Sequence, residues 1–464
     1  MLRSPPLFLF LALAACTRTA TTDVPPSVKS APSAAPALAP VDAAAEAAVA
    51  AGPHATDEPL SWAFWTRAGA LVAASKTDLW KVATSCGAPQ RVPFASDRAI
   101  TQNGADRFVV ERGGAFVSWD AATLQAGAPI DHPAAGRGGA LSPDGARVAL
   151  GGCKEIAGDP KLMTTCGELY DAATGQHTAG FVATHELDAL AFSEDGRYLV
   201  ARSGAVGLSV FDAATGKKIV SRPRWSDVQE VHGWNRPDVA DVAGDELVIA
   251  HGDTVEHVDL ASGKTLGKLV TSGRTLAVYG PKTRRVAVLQ GEAGRAQIWD
   301  VASHKVIRTF ELAKHIAVGA NCRHCALEID EIDEDRVWLT SNYTADHLLM
   351  RIGSGEVKRS DLHSGHSESL PSATHRVEET YDNETRQAGC ALDRRDSASP
   401  RVPLPVEYCN RVDGQRPGRD GEWPYPGFDP SGRFLAAIQR SQLRVWDLAA
   451  GKTVCVVGAR GGGR

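Results

Sequence analysis

The chain is poor in aromatic residues and carries no excess of positive charge. Past its first residues it also has no apolar run of membrane length. Aromatics make up 6% of its 464 residues and apolar residues 43%. Lys and Arg number 50 against 55 Asp and Glu, a formal charge of -5. No basic field is therefore present to hold a polyanion, and nucleic acid is set aside as a partner. No Gly-x-Ser-x-Gly elbow, phosphate-binding loop or metalloprotease helix motif occurs, which removes the most recognisable enzyme signatures. Catalytic sites assembled from dispersed residues need none of these. What the chain has in quantity is turn formers, 45 Gly and 26 Pro, and these favour many short turns over long helices.

At the amino terminus Arg3 precedes Leu7, Phe8, Leu9, Phe10, Leu11, Ala12 and Leu13. This run is too short to cross a hydrocarbon core of ~30 Å as a helix, and it reads as an export signal. It ends in Leu13-Ala14-Ala15-Cys16, which resembles the bacterial lipobox. The resemblance implies that residues 1–15 are removed and that the Cys16 thiol takes the lipid. Thr17 follows where an Asp would imply retention at the inner membrane, so outer-membrane sorting is expected. Residues 17–56 hold 14 Ala and 6 Pro in 40 positions, with no aromatic residue. Such a segment buries too little surface to offset its ordering entropy. Residues 16–56 are thus expected to be a lipidated Cys and a disordered tether, spanning on the order of 35 Å, with a folded body over 57–464.

The body repeats. Its clearest unit is Ala189-Leu190-Ala191-Phe192-Ser193-Glu194-Asp195-Gly196-Arg197-Tyr198-Leu199-Val200, followed by Leu208-Ser209-Val210-Phe211-Asp212-Ala213-Ala214-Thr215-Gly216-Lys217. The Asp-Gly step marks a tight hairpin. It has relatives at Pro143-Asp144-Gly145, Pro430-Ser431-Gly432, Asn103-Gly104, Ala243-Gly244-Asp245 and Gly280-Pro281-Lys282. The second signal is an apolar or aromatic residue, then Asp, two small residues, Thr or Ser, and Gly. It recurs at Trp119-Asp120, Tyr170-Asp171, Phe211-Asp212, Val258-Asp259, Trp299-Asp300 and Trp446-Asp447, and more weakly at Trp80-Lys81 and Ser360-Asp361. Apolar alternations of strand length separate the turns. Each unit therefore reads as a four-stranded antiparallel meander, with strands A to D.

Phe-Ser-x-Asp-Gly-Arg and Trp-Asp-x-Ala-x-Gly-Lys resemble WD40-type repeats, which implies an all-β fold, a β-propeller with one sheet per blade. The Gly-His dipeptide and the Asp between strands B and C, which form a hydrogen-bonded network in regular WD40 blades, are mostly missing. Thr184-His185 alone hints at the former, so the repeats are degenerate. Eight second signals give eight blades; seven remain open if the first unit is a partial blade that closes the ring with the last.

In a meander, the A-to-B and C-to-D turns share one end of the blade, and both turn signals belong there. The surplus length falls at the other end. It consists of B-to-C loops at 151–167 and 342–355 and D-to-A connections at about 221–240 and 366–424. Nothing in the pattern of 366–424 marks a further strand or blade. Loops on a rigid scaffold commonly carry binding, so this face is the expected functional one, with Trp225, His232, Trp234, Trp423 and Tyr425 as candidate anchors. Phe428 adjoins the same connection.

Without Cys16, eight cysteines remain, an even number that suggests disulfides in an oxidising compartment. Cys153 and Cys166 bracket the third unit's loop, and closing it contributes roughly 3 kcal/mol in the chain-entropy model. Cys322, Cys325, Cys390 and Cys409 lie in or beside long connections, and a bond between Cys86 and Cys455 would clasp the ring. Cys322-Arg323-His324-Cys325 has redox spacing but lies among strands, not at a helix start. His363, His366, Glu368 and His375 lack the spacing of a metal site. The acidic run from Glu328 to Asp335 lacks the order of a calcium loop. No catalytic residue, cofactor or metal is assigned.

Two functions compete. One is a membrane-anchored scaffold that holds a protein, peptide or glycan on its loop-rich face, a role carried by analogy with the propeller lipoprotein of the outer-membrane barrel-assembly machine. The other is a periplasmic hydrolase, lactonase or dehydrogenase with a site at the central channel.

Overall fold

The structure is a computed structural model. It describes residues 60–84, 89–96, 98–102, 104–132, 138–153, 165–183, 187, 189–203, 207–223, 240–251, 253–271, 275–280, 282–290, 294–315, 327–332, 334–341, 347–360, 375–382, 387–394, 402–404, 427–439 and 442–458. Eight four-stranded antiparallel meanders follow one another along the chain. Blade 1 comprises Trp62–Trp65, Leu71–Ala74, Asp78–Val82 and Gln90–Pro93, and blade 2 comprises Arg98–Ile100, Arg107–Arg112, Ala115–Asp120 and Gln125–Ile130. Blade 3 is Gly139–Leu141, Arg147–Gly151, Cys166–Asp171 and His177–Val182, and blade 4 is Ala189–Phe192, Tyr198–Ser203, Gly207–Asp212 and Lys218–Pro223. Ala240–Ala243, Glu246–His251, Thr254–Asp259 and Lys264–Val270 make blade 5; Thr275–Gly280, Arg285–Gln290, Arg295–Asp300 and Lys305–Glu311 make blade 6. Leu327–Ile332, Arg336–Ser341, His347–Arg351 and Val357–Ser360 form blade 7, and Gly427–Phe428, Phe434–Gln439, Gln442–Asp447 and Lys452–Gly458 form blade 8.

The first unit is a complete sheet, which settles the blade number left open by the turn signals at eight. The strand alternation explains how the blades stack. In strand B of blade 6, Val286 and Val288 pack on blade 5 while Ala287 and Leu289 pack on blade 7. Inner strands are thus buried on both faces, and outer D strands such as Lys264–Val270 are largely exposed. Apolar clusters join blades 1 to 7 in order. A further cluster sets Trp65, Leu71 and Trp80 of blade 1 against Ala436, Leu443 and Val445 of blade 8. Trp65 Nε1 also donates to the carbonyl of Gly427, 2.9 Å away. First and last blades therefore meet, and the series closes into a propeller.

Three expectations need correction. The insertion at 366–424 contains a three-stranded sheet of His375–Asp382, Gln387–Arg394 and Val402–Leu404. Its Leu392 and Leu404 cover Phe428, Leu435 and Trp446 of blade 8, so Phe428 is a packing residue and not a surface anchor. Second, the blade 7 turn is not at Ser360-Asp361, because Ser360 is the last residue of strand D. It runs from Arg351 to Glu356, with Gly355 N–H on the Arg351 carbonyl at 2.9 Å. Third, the B-to-C connection of blade 7 therefore covers 342–346 alone, and the surplus read at 342–355 is mostly strand C and its turn.

Candidate functional site: the loop-bearing end of the propeller

Both turn signals do lie at one end, and hydrogen bonds show why. In each of blades 2 to 8 the residue after the motif aspartate, or after Arg351 in blade 7, donates its N–H to a carbonyl of the A-to-B turn. Ala172 to Ala146 at 2.8 Å, Ala213 to Arg197 at 2.8 Å and Val301 to Arg284 at 2.9 Å are examples. The aspartate organises the C-to-D turn itself. Asp212 Oδ1 accepts from the amides of Ala214 and Thr215 at 3.1 and 2.8 Å and from the Thr215 hydroxyl at 2.7 Å. Among the described residues, the turns of blades 2 to 8 at this end are short and regular.

The opposite end is built differently. In blade 3, strand B stops at Gly151 and strand C starts at Cys166, leaving the longest B-to-C connection in the described blades. Cys153 and Cys166 are disulfide-bonded across it, with Cα atoms 5.8 Å apart. Gly152 N–H meets the Cys166 carbonyl at 2.7 Å, and Ala183 N–H meets that of Thr165 at 2.8 Å, so both ends of the connection are braced at its base.

Beneath that base lies a buried polar network. His132, in the connection from blade 2 to blade 3, places Nε2 2.9 Å from the Gly151 carbonyl. A carbonyl only accepts, so Nε2 carries the proton. Its Nδ1 lies 3.0 Å from the Tyr170 hydroxyl and 3.4 Å from Glu168 Oε2, and the hydroxyl donates to Glu168. Burial, reinforced by the Glu168 carboxylate, pushes the Tyr170 phenol well above its ordinary value. All three side chains are buried, so the network positions the loop and does not meet solvent. Thr184-His185, which alone hinted at the Gly-His dipeptide, lies outside the described residues; the network observed is centred on His132. Its sequence signal, a His two residues past the end of strand D, is visible only once the strand end is known.

The candidate anchors Trp225, His232, Trp234, Trp423 and Tyr425 lie outside the described residues. So do Cys16, Cys86, Cys322, Cys325, Cys409, His363 and His366. Cys455 is disulfide-bonded. Among the described residues no group of three or more metal-ligating side chains occurs, and no helix is long and apolar enough to cross a membrane.

No family model matches the chain, and no curated protein matches it. Solved structures do. A eukaryotic initiation factor aligns with a TM-score of 0.53 at 10% identity, over 86% of this chain and 96% of that one. The computationally designed protein Ika8 gives 0.43 at 13% identity, over 72% and 96%. BamB from Moraxella catarrhalis gives 0.40 at 12% identity, over 70% and 95%. At 10% identity, the likeness to the initiation factor is one of fold alone.

Proposed function

We propose that the chain is a lipid-anchored propeller of the bacterial envelope that holds a protein, peptide or glycan partner on its loop-bearing end. The observation that carries this reading is the asymmetry between the two ends. At one end the described turns of blades 2 to 8 are tight and bond to one another. The other bears long connections, one of them stapled by Cys153–Cys166 over the His132 network. A rigid scaffold with long connections at one end is an arrangement suited to recognition. The anchor rests on Leu13-Ala14-Ala15-Cys16, and outer-membrane sorting on Thr17.

Site-specific photo-crosslinking in intact cells tests the proposal. A photoreactive residue at Glu155 or Trp423, on the loop-bearing connections, is expected to give discrete adducts. The same residue at Ala214 or Ala261, in the tight turns, is expected to give none. Adducts from the tight turns alone would move the binding surface to the other end. Cys16→Ala should abolish acyl labelling; unchanged labelling and membrane fractionation would remove the anchor.

A further inference from the structure

The C-to-D turn of blade 6 departs from its sister turns. Gly175, Gly216, Gly263, Gly355 and Gly451 occupy the same turn position in blades 3, 4, 5, 7 and 8, each with positive φ. In blade 6 that position is His304, with φ 54°. An L side chain rarely adopts this backbone conformation. Leu124 does so in blade 2, but its side chain is buried in the core between blades 1 and 2. His304 is exposed, so core burial does not offset its strain. Backbone strain of this kind at a polar residue points to a constraint on the side chain.

The imidazole of His304 is directed into the neighbouring blade. It lies over Gly267, in strand D of blade 5, so closely that a Cβ there would stand 2.3–2.7 Å from three of its ring atoms. Gly267 is paired with His257 of strand C. The His304 Nε2 atom sits 3.2 Å from Nδ1 of His257, whose residue is only 2% exposed. The second His257 nitrogen, Nε2, is buried without a hydrogen-bond partner, and Glu246 Oε1 lies 3.6 Å from it. Glu246 is held in place by the Tyr279 hydroxyl at 2.8 Å and by Arg284.

This carboxylate selects the His257 tautomer. A proton on Nε2 faces the negative charge, whereas a lone pair there would oppose it. With the proton on Nε2, the lone pair of Nδ1 points at His304. Two imidazole nitrogens sharing a tetrahedral zinc at the usual bond lengths stand about 3.3 Å apart, close to the observed separation. A metal-ligating histidine commonly turns its other N–H toward a carboxylate, as His257 does toward Glu246.

We infer that His257 Nδ1 and His304 Nε2 form a two-histidine site, between blades 5 and 6, for a divalent transition-metal ion that prefers imidazole, such as zinc or copper. No third ligand completes it among the described residues, so the remaining positions are left to water or to an external donor. The site lies at the tight-turn end and is independent of the partner surface proposed above.

The test uses the full-length protein in detergent, wild type and His304→Gly, with zinc chloride as probe. Glycine is the residue of the sister turns, so the variant is expected to keep or raise the melting temperature without metal. Zinc should raise the melting temperature of the wild type, and titration calorimetry should show binding at least tenfold weaker in the variant. Copper(II) should give an electron paramagnetic resonance spectrum with coupling to two nitrogens, and the variant should lose one. Equal zinc affinity in the two proteins would place the metal elsewhere and overturn the inference. Absence of any zinc effect on the wild type would overturn it as well. A variant that melts lower while zinc affects neither protein would make the pair a structural hydrogen bond.

Discussion

The motif aspartate shows how one side chain sets a turn and, through it, a blade. Asp120, Asp171, Asp212, Asp259, Asp300 and Asp447 all titrate below the ordinary carboxylate value. At Asp171 the chief cause is the Thr174 amide; at Asp447 it is the Arg433 guanidinium. At Asp212 burial acts in the opposite direction, and the Thr215 hydroxyl with the Thr215 and Ala214 amides outweighs it. Asp212→Ala removes all three of these bonds, and by analogy with a lost cap should cost about 1 kcal/mol, read from chemical denaturation. Because the folded pKa values are depressed, the contribution of these six groups is complete above about pH 4. It is lost as pH falls through the lower folded values. Denaturation midpoints should therefore be flat from pH 7 to 5 and fall below pH 4, and the Asp212→Ala protein should fall less steeply. The neighbouring glycine has a second role that its motif does not reveal. A Cβ on Gly216 would lie 2.1 Å from the Gly180 carbonyl of blade 3, so Gly216 permits the approach of two blades as well as a positive φ.

At the scale of strands and turns, a recognisable element is one whose geometry is enforced by nearby residues. The hairpin at Ser193-Glu194-Asp195-Gly196 closes through Gly196 N–H on the Ser193 carbonyl at 2.8 Å and the Ser193 hydroxyl on Asp195 at 2.7 Å. A reader of the sequence sees every participant. Arg351-Ile352-Gly353-Ser354-Gly355 escapes such reading because it has no aspartate of its own. Gly353 N–H is taken instead by Asp335 Oδ1 at 2.6 Å, from the other turn of the blade. The three-stranded sheet escapes for a related reason, since neither turn signal joins its strands and His375–Asp382 has no clean apolar alternation. The disulfide was legible because its cysteines bracket a single long loop. The double variant Cys153→Ser with Cys166→Ser should lose roughly 3 kcal/mol, measured as a lower midpoint in denaturant. The variant is the cleaner test than a reductant, because Cys455 is disulfide-bonded too.

For the whole molecule, stability depends on closure. Each blade has two apolar faces; among the described residues, one face of blade 8 packs on blade 1 and the other on the three-stranded sheet. Removing residues 427–464 uncovers Trp65, Leu71 and Trp80 and deprives the Trp65 indole of the Gly427 carbonyl. Calorimetry of that truncation should show no cooperative transition for the remaining blades. A persistent native-like transition would mean that the sheets are stable as an open array. The three-stranded sheet is part of the same accounting, because it shields Phe428 and Trp446. Replacement of the insertion by a short link is thus expected to weaken blade 8 and not to leave the propeller untouched.

The sequence by itself determined the four-stranded meander and the end at which its turns cluster, while the structure decided between seven blades and eight. Those features rest on bonds spanning two to five residues and on glycines whose φ is set locally, such as Gly145 at 71° and Gly196 at 70°. Only the tertiary structure decided the centre of the histidine network, the meeting of His257 with His304, and the junction of first and last blades. Their partners stand 36 to 38, 47 and 362 residues apart. Stacking of neighbouring blades brings the histidines to their partners and ring closure brings Trp65 to Gly427, and no local periodicity encodes which of the chain's 14 histidines or 10 tryptophans are chosen.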